Sequence, residues 1–262
     1  MSNFGSNGRF GNQLFQYCFL YSMAKKLGLY FFIPKIDLFN RYFDINRLSY
    51  VDINLLPKIK TVNHIEKSEF IYNKFNIESS TINNFSGYFQ CFDYIYSNLD
   101  EIIKNELVFK ESLLQDSCQK IKDISGNRKN ICSIHIRKGD YLIHSGVFYS
   151  LKIDYYIKAM SIINKKYKDS LFLVFSDDID LVKKEFNSVL NRNIIFMEKN
   201  NDIDDFFLMV SCPNKIISNS TFSLWSAIFN KEKGAVVCPI KWLNNDTRTP
   251  IGNDIFMNWI KI

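Results

Sequence analysis

Short apolar runs in the second half of the chain place the strongest constraint on its fold. They are ICSIHI (131–136), LFLVF (171–175), NIIFM (193–197), KIIS (215–218) and AVVCP (235–239). Segments with the helical spacing of apolar residues alternate with them, near 154–167, 179–190, 202–212 and 221–230. Strands that alternate with amphipathic helices form a parallel sheet covered on both faces. We therefore predict an α/β protein with a doubly wound, Rossmann-like domain.

The N-terminal half gives fewer signals of secondary structure. Apolar residues recur at helical spacing over residues 12–27, and the basic end of this stretch before Gly28 favours a helix that stops there. The run LYFFI at 29–33 predicts a buried strand. Over about 37–86 polar residues dominate without a sustained period, so we make no detailed prediction of secondary structure there.

A polar stretch at 125–130 separates the two halves and predicts a linker between two domains. We expect a first α/β domain at 1–126 and a second domain at 127–262. About the last 15 residues of the second domain are expected to pack back on the first domain.

The net charge of +6 is spread along the chain, because lysines and arginines are interleaved with acidic residues. Proteins that bind nucleic acid usually concentrate basic residues in a patch, an arm or a zinc-finger module, and none of these patterns occurs in the sequence. The charge therefore argues against nucleic acid as a partner. It is compatible with an anionic small substrate or with peripheral contact to a membrane surface.

The six cysteines have no CxxC motif or paired spacing, and most lie in apolar stretches. This distribution predicts buried free thiols in a reducing compartment. The first residues lack the basic and apolar regions of a secretory signal, and no apolar segment approaches the roughly 20 residues that cross a bilayer. We predict a cytoplasmic protein. Contact with the inner face of the membrane and the oligomeric state stay open.

The segment HIRKGD ends the first predicted strand and combines a histidine, two cations and a carboxylate. An arginine fork binds phosphate oxygens in pairs and a lysine adds a point charge, so Arg137 and Lys138 could together neutralise a diphosphate. The alternative is a surface ion pair between Arg137 and Asp140. His135 is expected to face inward from its strand, and the chain has only three histidines, which favours the functional interpretation.

Two further polar clusters follow strands of the same predicted sheet. Asp177 and Asp178 could accept hydrogen bonds from a ribose or a guanine, or could cap the helix that follows. In SNSTFS (218–223), backbone N–H groups at a helix start could bind phosphate, or Ser220 or Thr221 could act as an ordinary cap. Ligands bind beyond the carboxyl ends of parallel strands, so we expect all three clusters to line one rim.

Two DxD patterns, Asp178 with Asp180 and Asp202 with Asp204, raise the question of a metal site. Such carboxylates can hold a divalent cation beside a nucleotide diphosphate. Each pair, however, lies in the first turn of a predicted helix, where acidic side chains favour the helix dipole without any metal.

Glycine is scarce in the chain, yet the motif GRFGNQ contains two glycines directly before the first predicted helix. Gly8 and Gly11 would allow the backbone to approach a ligand closely, and Asn12 could form hydrogen bonds at that surface. A plain tight turn is the alternative. The motif is not GxGxxG, so a dinucleotide-binding fingerprint is disfavoured.

Six segments, in this order, resemble the bacterial α-1,2-fucosyltransferases of glycosyltransferase family 11, and more distantly other fucosyltransferases that use GDP-fucose. They are GRFGNQLFQY (8–17), GYFQ (87–90), SIHIRKGDY (133–141), DYY (154–156), FSDD (175–178) and ISNSTFSLWSA (217–227). The resemblance implies a two-domain type-B glycosyltransferase-like fold with an N-terminal acceptor-side domain and a Rossmann-like donor-binding domain.

The activity implied by this resemblance is transfer of L-fucose, with inversion, from GDP-β-L-fucose to the 2-hydroxyl of a galactose-containing acceptor. The acceptor would be a lipopolysaccharide or O-antigen intermediate or an oligosaccharide, and no metal or other cofactor is expected. Two alternatives remain. The chain could use another GDP-deoxyhexose, or it could be a non-catalytic glycan-binding module.

The resemblance also implies roles for individual residues. Arg137 would bind the diphosphate and stabilise the departing GDP, while Asp140 and His144 are the candidates for a catalytic base. Lys138 replaces the family's usual second arginine, which keeps the charge but loses the fork. The predicted donor-binding residues are Gly11, Asn12, His135, Lys138, Asp177, Asp178, Asn219, Ser220, Thr221, Phe222 and Ser223.

Tyr88, Gln90 and Tyr94 are predicted to lie on the acceptor side. Aromatic rings in this segment could stack on a sugar ring, although core packing is the commoner use of such side chains. The sequence alone does not decide between these two uses.

Overall fold

The structure is a computed structural model that describes residues 1–34, 37–44, 60–126, 128–139, 141, 146–187, 193–198, 200–230, 232, 234–244, 249–250 and 256–262. Within these ranges the chain divides into two compact units. The first unit holds Met1–Lys110 and Pro250, and the second holds Glu111–Thr249 and Phe256–Ile262.

The first unit is organised around a long helix, α1 (Phe10–Leu27). This confirms the predicted helix, which ends at Gly28 in the left-handed conformation with φ of 64°. The elements that follow are α2 (Asp37–Tyr42), β1 (Thr61–Ile65), β2 (Ile82–Ser86) and the helical turns Phe92–Tyr94, Tyr96–Asn98, Leu99–Glu101 and Ile102–Glu106. β1 and β2 pair in parallel. Both strands lie in the region where the sequence shows no sustained period.

Of the predicted strand at 29–33 the structure shows a single β-bridge residue, the buried Ile33, and no named strand. Tyr30 is fully exposed. Leu29, Phe31 and Phe32 line a cavity beside α1. A short apolar run shows that side chains avoid water, but it does not show whether they do so in a sheet or around a cavity.

The second unit contains the strongly patterned half of the chain and confirms the predicted doubly wound sheet. Its described elements are α3 (Glu111–Ser125), β3 (Ile131–Ile136), α4 (Ile153–Lys166), β4 (Leu171–Ser176), α5 (Ile179–Phe186), β5 (Ile194–Phe196), α6 (Asp202–Ser211), β6 (Asn214–Ile216), α7 (Thr221–Ile228), β7 (Val236–Cys238) and β8 (Ile260–Lys261). The described strands are all parallel, in the order β5-β4-β3-β6-β7-β8. Each of the five apolar runs coincides with a strand.

Alternate residues of β4 show how the sheet is covered on both faces. Phe172 and Val174 pack in a cluster with buried residues of α4 and α5. Leu171, Leu173 and Phe175 pack in a second cluster with buried residues of α3 and α6. Side chains point alternately to opposite faces of a strand, so a strand buried on both faces is apolar throughout.

Helix α3 belongs to the second unit. The boundary between the units therefore lies before α3, whereas the sequence analysis placed it after this helix. Ile121 of α3 is buried in the same cluster as residues of α6, and Ser117 Oγ lies 2.7 Å from Ser211 Oγ. The C-terminal end is divided between the two units, because Pro250 lies in the first unit. Its described residues Phe256–Ile262 lie in the second unit, where β8 pairs with β7.

The strand order places a switch point between β3 and β6. From β3 the chain continues outwards through β4 to β5, and β6 then returns to pair with the other side of β3. Helices that connect strands in opposite directions diverge at such a point and leave a crevice at the carboxyl ends of the strands. The residues after β3 and β6 therefore lie where this fold binds ligands.

No helix among the described residues is long and apolar enough to cross a membrane. All six cysteines, each within the described ranges, are free. Five are buried as predicted, whereas Cys118 on α3 is exposed.

Candidate functional site

β3 ends with a buried histidine at the switch point. His135 is only 5% exposed, and its Nδ1 lies 2.8 Å from Ser218 Oγ, just after β6. Burial lowers the pKa of His135 to about 4, and the negative charge of Asp177 opposes this shift only in part. His135 is therefore neutral near pH 7, and its ring offers one hydrogen-bond donor and one acceptor.

Asp177 holds the turn that follows β3. Its Oδ2 lies 2.9 Å from Arg137 Nη1, and its Oδ1 accepts a hydrogen bond from Lys138 N at 2.9 Å. A Cβ atom at Gly139 would lie 2.6 Å from Asp177 Oδ2, so only glycine lets the carboxylate come this close. Asp177 thus fixes the direction of the guanidinium. Its predicted contact with a nucleoside stays a prediction.

Lys138 has a partner that the sequence did not suggest. Its ammonium lies 2.8 Å from the carboxylate of Glu185 on α5, and the Lys138 side chain is 6% exposed. A cation this deeply buried needs a counter-charge, and Glu185 supplies it. In the structure the charge of Lys138 is thus paired with Glu185, and its predicted contact with a diphosphate stays a prediction.

Tyr141 supports Arg137 from a second direction. The Arg137 Cζ lies 5.7 Å from the centre of the Tyr141 ring, a cation–π distance. The ring itself stacks on Phe148 at 4.2 Å, and its hydroxyl donates to Asn219 O at 2.7 Å. The guanidinium is therefore oriented both by a carboxylate and by a ring that is itself held in place.

The turn from β6 into α7 presents backbone N–H groups at the same edge of the sheet. Ser220 is the N-cap residue, but its side chain forms no capping hydrogen bond, so the capping alternative for Ser220 is wrong. The first turn contains no acidic residue. Thr221 and Phe222 are partly exposed there, and the Phe222 ring lies 5.6 Å from the His135 ring. Such a helix start can bind an anion.

Asn219 and Ser223 keep this turn in shape. Asn219 Nδ2 donates to Tyr149 O and to Trp242 O, each at 2.8 Å. Ser223 is fully buried, and its Oγ donates to Ser220 O at 3.2 Å. The structure places both predicted donor-binding side chains in hydrogen bonds to the protein backbone, so they position the turn.

Asp178 is a helix cap. Its side chain accepts a hydrogen bond from Leu181 N at 3.1 Å at the start of α5, which confirms the capping alternative. Asp180 lies in the first turn of the same helix, and Asp202 and Asp204 lie in the first turn of α6. Within the described ranges no three or more His, Cys, Asp or Glu residues are grouped so that they could hold a metal.

Two motifs of the first unit meet at Asn12. Gln90 Nε2 donates to Asn12 Oδ1 at 3.0 Å. Gly8 has a positive φ of 81°, and a Cβ atom there would overlap the Asn12 side chain. Gly11 is buried in the first turn of α1. The structure thus brings together residues predicted to serve the donor side and the acceptor side.

Gln16 and Glu66 fix the backbone of the GYFQ segment. Gln16 Nε2 donates to Gly87 O at 3.0 Å. Glu66 Oε2 accepts from Tyr88 N at 2.7 Å and from Phe89 N at 3.0 Å. Burial raises the pKa of Glu66 although these two hydrogen bonds favour its charged form. These contacts fix the backbone of the segment that carries Gln90, whose side chain donates to Asn12.

Tyr94 belongs to the core of the first unit. It is 6% exposed, and its ring meets the ring of Phe19 edge-on at 5.0 Å. This is the core packing that was the alternative to stacking on a sugar. Tyr88 is partly exposed. Asp140 and His144, the predicted candidates for a base, lie outside the described residues.

Sequence reasoning missed Glu185, Glu66, Gln16 and the support from Tyr141. Tyr141 and Gln16 lie inside the motifs, so a closer reading could have marked them as candidates. Glu185 and Glu66 look like ordinary surface acids, and their partners are distant in sequence. No local pattern could have found these two.

The whole sequence matches one family of transferases. The family model described as glycosyl transferase family 11 covers residues 1–262. The chain belongs to glycosyl transferase family 11. The family predicted from the six segments is thereby confirmed.

Curated relatives include glycosyltransferases with three different names. The O-antigen biosynthesis glycosyltransferase WbnK of Escherichia coli is 27% identical over 96% of this chain and 98% of the relative. An alpha-1,2-colitosyltransferase of Escherichia coli is 28% identical over 74% of this chain and 68% of the relative. Galactoside alpha-(1,2)-fucosyltransferase 2 of Rattus norvegicus is 23% identical over 87% of this chain and 66% of the relative.

The fold has a counterpart of known structure in NodZ, a fucosyltransferase from Bradyrhizobium. Its crystal structure grown with GDP gives a TM-score of 0.55, with 12% identity over 84% of this chain and 89% of NodZ. At this identity the likeness concerns the fold alone. It confirms the two-domain type-B glycosyltransferase-like fold with a parallel sheet.

The neutral state of His135 predicts a specific dependence of stability on pH. The pKa falls from 6.5 to about 4 on folding, so the unfolded chain binds more protons in this range and stability is lost as the pH falls. The free energy of unfolding of the wild type should drop by about 3 kcal/mol more than that of His135→Asn between pH 7.5 and 4. Urea denaturation at several pH values measures this difference. Parallel pH profiles would contradict it.

The Lys138–Glu185 ion pair predicts a loss of stability when one charge is removed. Glu185→Gln leaves the buried ammonium without its anion and should cost about 1–3 kcal/mol, less than for a fully buried pair because Glu185 is partly exposed. Glu198→Gln is a matched control, since it breaks the more exposed pair with Lys183 and should cost about 0.5 kcal/mol or less. Equal losses in urea denaturation would show that burial of Lys138 has no such effect.

Proposed function

We propose that the chain transfers L-fucose from GDP-β-L-fucose, with inversion, to the 2-hydroxyl of galactose in a glycan acceptor. The observation that carries this proposal is the orientation of Arg137 at the switch point of the sheet. Asp177 contacts one guanidinium nitrogen at 2.9 Å. A guanidinium presents its N–H donors as a planar fork, which binds phosphate oxygens in pairs.

The comparisons support the substrate class. The rat relative is named a galactoside alpha-(1,2)-fucosyltransferase, and NodZ, which shares the fold, was crystallised with GDP. The name of WbnK refers to O-antigen biosynthesis, which supports a lipopolysaccharide intermediate as acceptor. A nucleoside diphosphate fits the edge of the sheet where Arg137 and the start of α7 lie.

In the proposed reaction the bond between C1 of fucose and the β-phosphate oxygen breaks, and its electron pair leaves with GDP. The acceptor oxygen forms its bond to C1 from the opposite face, which inverts the configuration and releases the hydroxyl proton. The sugar carries positive charge in such transition states, and the leaving diphosphate carries negative charge. Arg137 and the N–H groups of α7 would stabilise the latter.

We also propose that the reaction needs no metal ion. A fixed guanidinium and a helix N-terminus supply positive charge without a change of position during the reaction. His135, neutral at pH 7, would offer a hydrogen bond at the same edge without adding charge. Asp140 and His144 stay the predicted candidates for the base that takes the acceptor proton.

Replacing the arginine fork by a point charge tests this proposal. Arg137→Lys keeps the charge but loses the paired hydrogen bonds, so turnover of GDP-fucose with a β-galactoside acceptor should fall about 100- to 1000-fold. Arg128→Lys makes the same substitution at an exposed position of the same unit and should leave the rate unchanged. Wild-type activity should persist in EDTA. A rate for Arg137→Lys near that of the wild type, or loss in EDTA with rescue by manganese, would overturn the proposal.

The colitosyltransferase among the relatives favours one alternative, a different GDP-deoxyhexose as donor. GDP-fucose and GDP-colitose offered together in equal amounts would separate the two. Product analysis should show mainly fucose on the acceptor. If colitose predominates in the product, the proposed donor changes to GDP-colitose, and the proposed role of Arg137 in binding the diphosphate stays the same.

A further inference from the structure

Phe148 lies on an extended segment that pairs with the chain beyond β7. It forms an isolated antiparallel bridge with Leu243. Asn244 N donates to Val147 O at 2.9 Å, and Asn244 Nδ2 donates to Phe148 O at 2.9 Å. These contacts fix the backbone at Phe148.

The same pair of segments is joined to the turn after β6. Asn219 Nδ2 donates to Tyr149 O on one segment and to Trp242 O on the other, each at 2.8 Å. The Tyr141 hydroxyl donates to Asn219 O at 2.7 Å. Asn219 therefore connects the segment that carries Phe148 with the side chain of Tyr141.

The ring of Phe148 lies flat against the ring of Tyr141. The two ring centres are 4.2 Å apart and the ring planes differ by only 5°. The Arg137 Cζ in turn lies 5.7 Å from the centre of the Tyr141 ring. A guanidinium is attracted to the face of an aromatic ring, so the orientation of Tyr141 affects the direction of Arg137.

Packing in the core does not account for an aromatic residue at position 148. Phe148 belongs to neither of the two described apolar clusters that cover the faces of the sheet, whereas its neighbour Tyr149 packs against the first of them. Phe148 is also partly exposed. The stack on Tyr141 is the described contact that explains the aromatic side chain.

We propose that Phe148 is a positioning residue, whose ring holds Tyr141 so that Arg137 keeps the direction in which it binds the diphosphate. This inference rests on the role of Arg137 in the proposed function. Phe148 itself touches neither the substrate nor the reacting atoms in this proposal. Its ring and the carboxylate of Asp177 restrict the same guanidinium from different directions, and a cation held in this way loses less entropy when it binds an anion.

Calorimetric titration of the full chain with GDP tests the proposal without any sugar or acceptor. Phe148→Leu keeps an apolar side chain but removes the stack, and it should weaken GDP binding about three- to tenfold. Phe148→Tyr keeps a flat ring and should bind GDP like the wild type. If urea denaturation shows that Phe148→Leu does not fold, Phe148→Met removes the ring with a more adaptable side chain and should give the same loss.

A double-mutant cycle separates positioning of Arg137 from a general effect on the fold. Arg137→Met removes the guanidinium and should weaken GDP binding at least about tenfold. In this background Phe148→Leu should cause no further loss, because there is no guanidinium left to orient.

A matched control removes a stacked ring elsewhere in the same unit. The ring of Phe256 stacks on Trp259 with the centres also 4.2 Å apart. Phe256→Leu should leave the affinity of the folded protein for GDP unchanged.

The inference alone would be overturned by wild-type affinity in Phe148→Leu while Arg137→Met binds weakly. The same loss in Phe256→Leu, an equal loss from Phe148→Leu in both backgrounds, or a Phe148→Tyr variant as weak as Phe148→Leu would also overturn it. Absence of GDP binding by the wild type would instead overturn the proposed function, and this inference with it. The two failures are therefore distinguishable.

Discussion

The carboxylate of Asp177 is the constraint on which the candidate site depends. It comes from the end of β4, yet its two oxygens bind the Arg137 guanidinium and the Lys138 amide beyond the end of β3. The parallel register of the two strands brings these ends together, and Gly139 leaves room for the contact. A long, flexible side chain is thereby held in one direction. A cation that is already oriented loses less entropy when it binds an anion.

Burial determines the charge of the groups near Arg137. His135 is neutral because its surroundings are too apolar for a second charge, and Lys138 is balanced by Glu185. Neither the neutral His135 nor the Lys138–Glu185 pair therefore adds net positive charge at this edge of the sheet. Positive potential at the carboxyl edge of the sheet would come from Arg137 and from the N-terminus of α7. This arrangement suits an anion at one place on the edge better than diffuse basic charge would.

In the first unit, the glycine motif and the GYFQ segment are joined by hydrogen bonds. Asn12 and Gln90 bind each other, while Gln16 and Glu66 hold the backbone on which Gln90 lies. Residues that the sequence suggests as ligand contacts can thus form hydrogen bonds that stabilise the local backbone. At the other end of α1 the apolar run that predicted a strand instead contributes Leu29, Phe31 and Phe32 to the lining of a cavity.

The spacing of apolar residues in the sequence was enough to predict the parallel sheet, the helices between its strands and α1. It also predicted that the polar motifs lie at one edge of the sheet. This was possible because a strand buried on both faces is apolar throughout, and a helix buried on one face has apolar residues at helical spacing. Tertiary structure alone decided that Lys138 pairs with Glu185, that Glu66 holds the turn at Tyr88, and that α3 joins the second unit. It also decided that residues 29–32 line a cavity. These features depend on residues far apart in the chain, and periodicity reports only whether a side chain is buried, not which partner it meets.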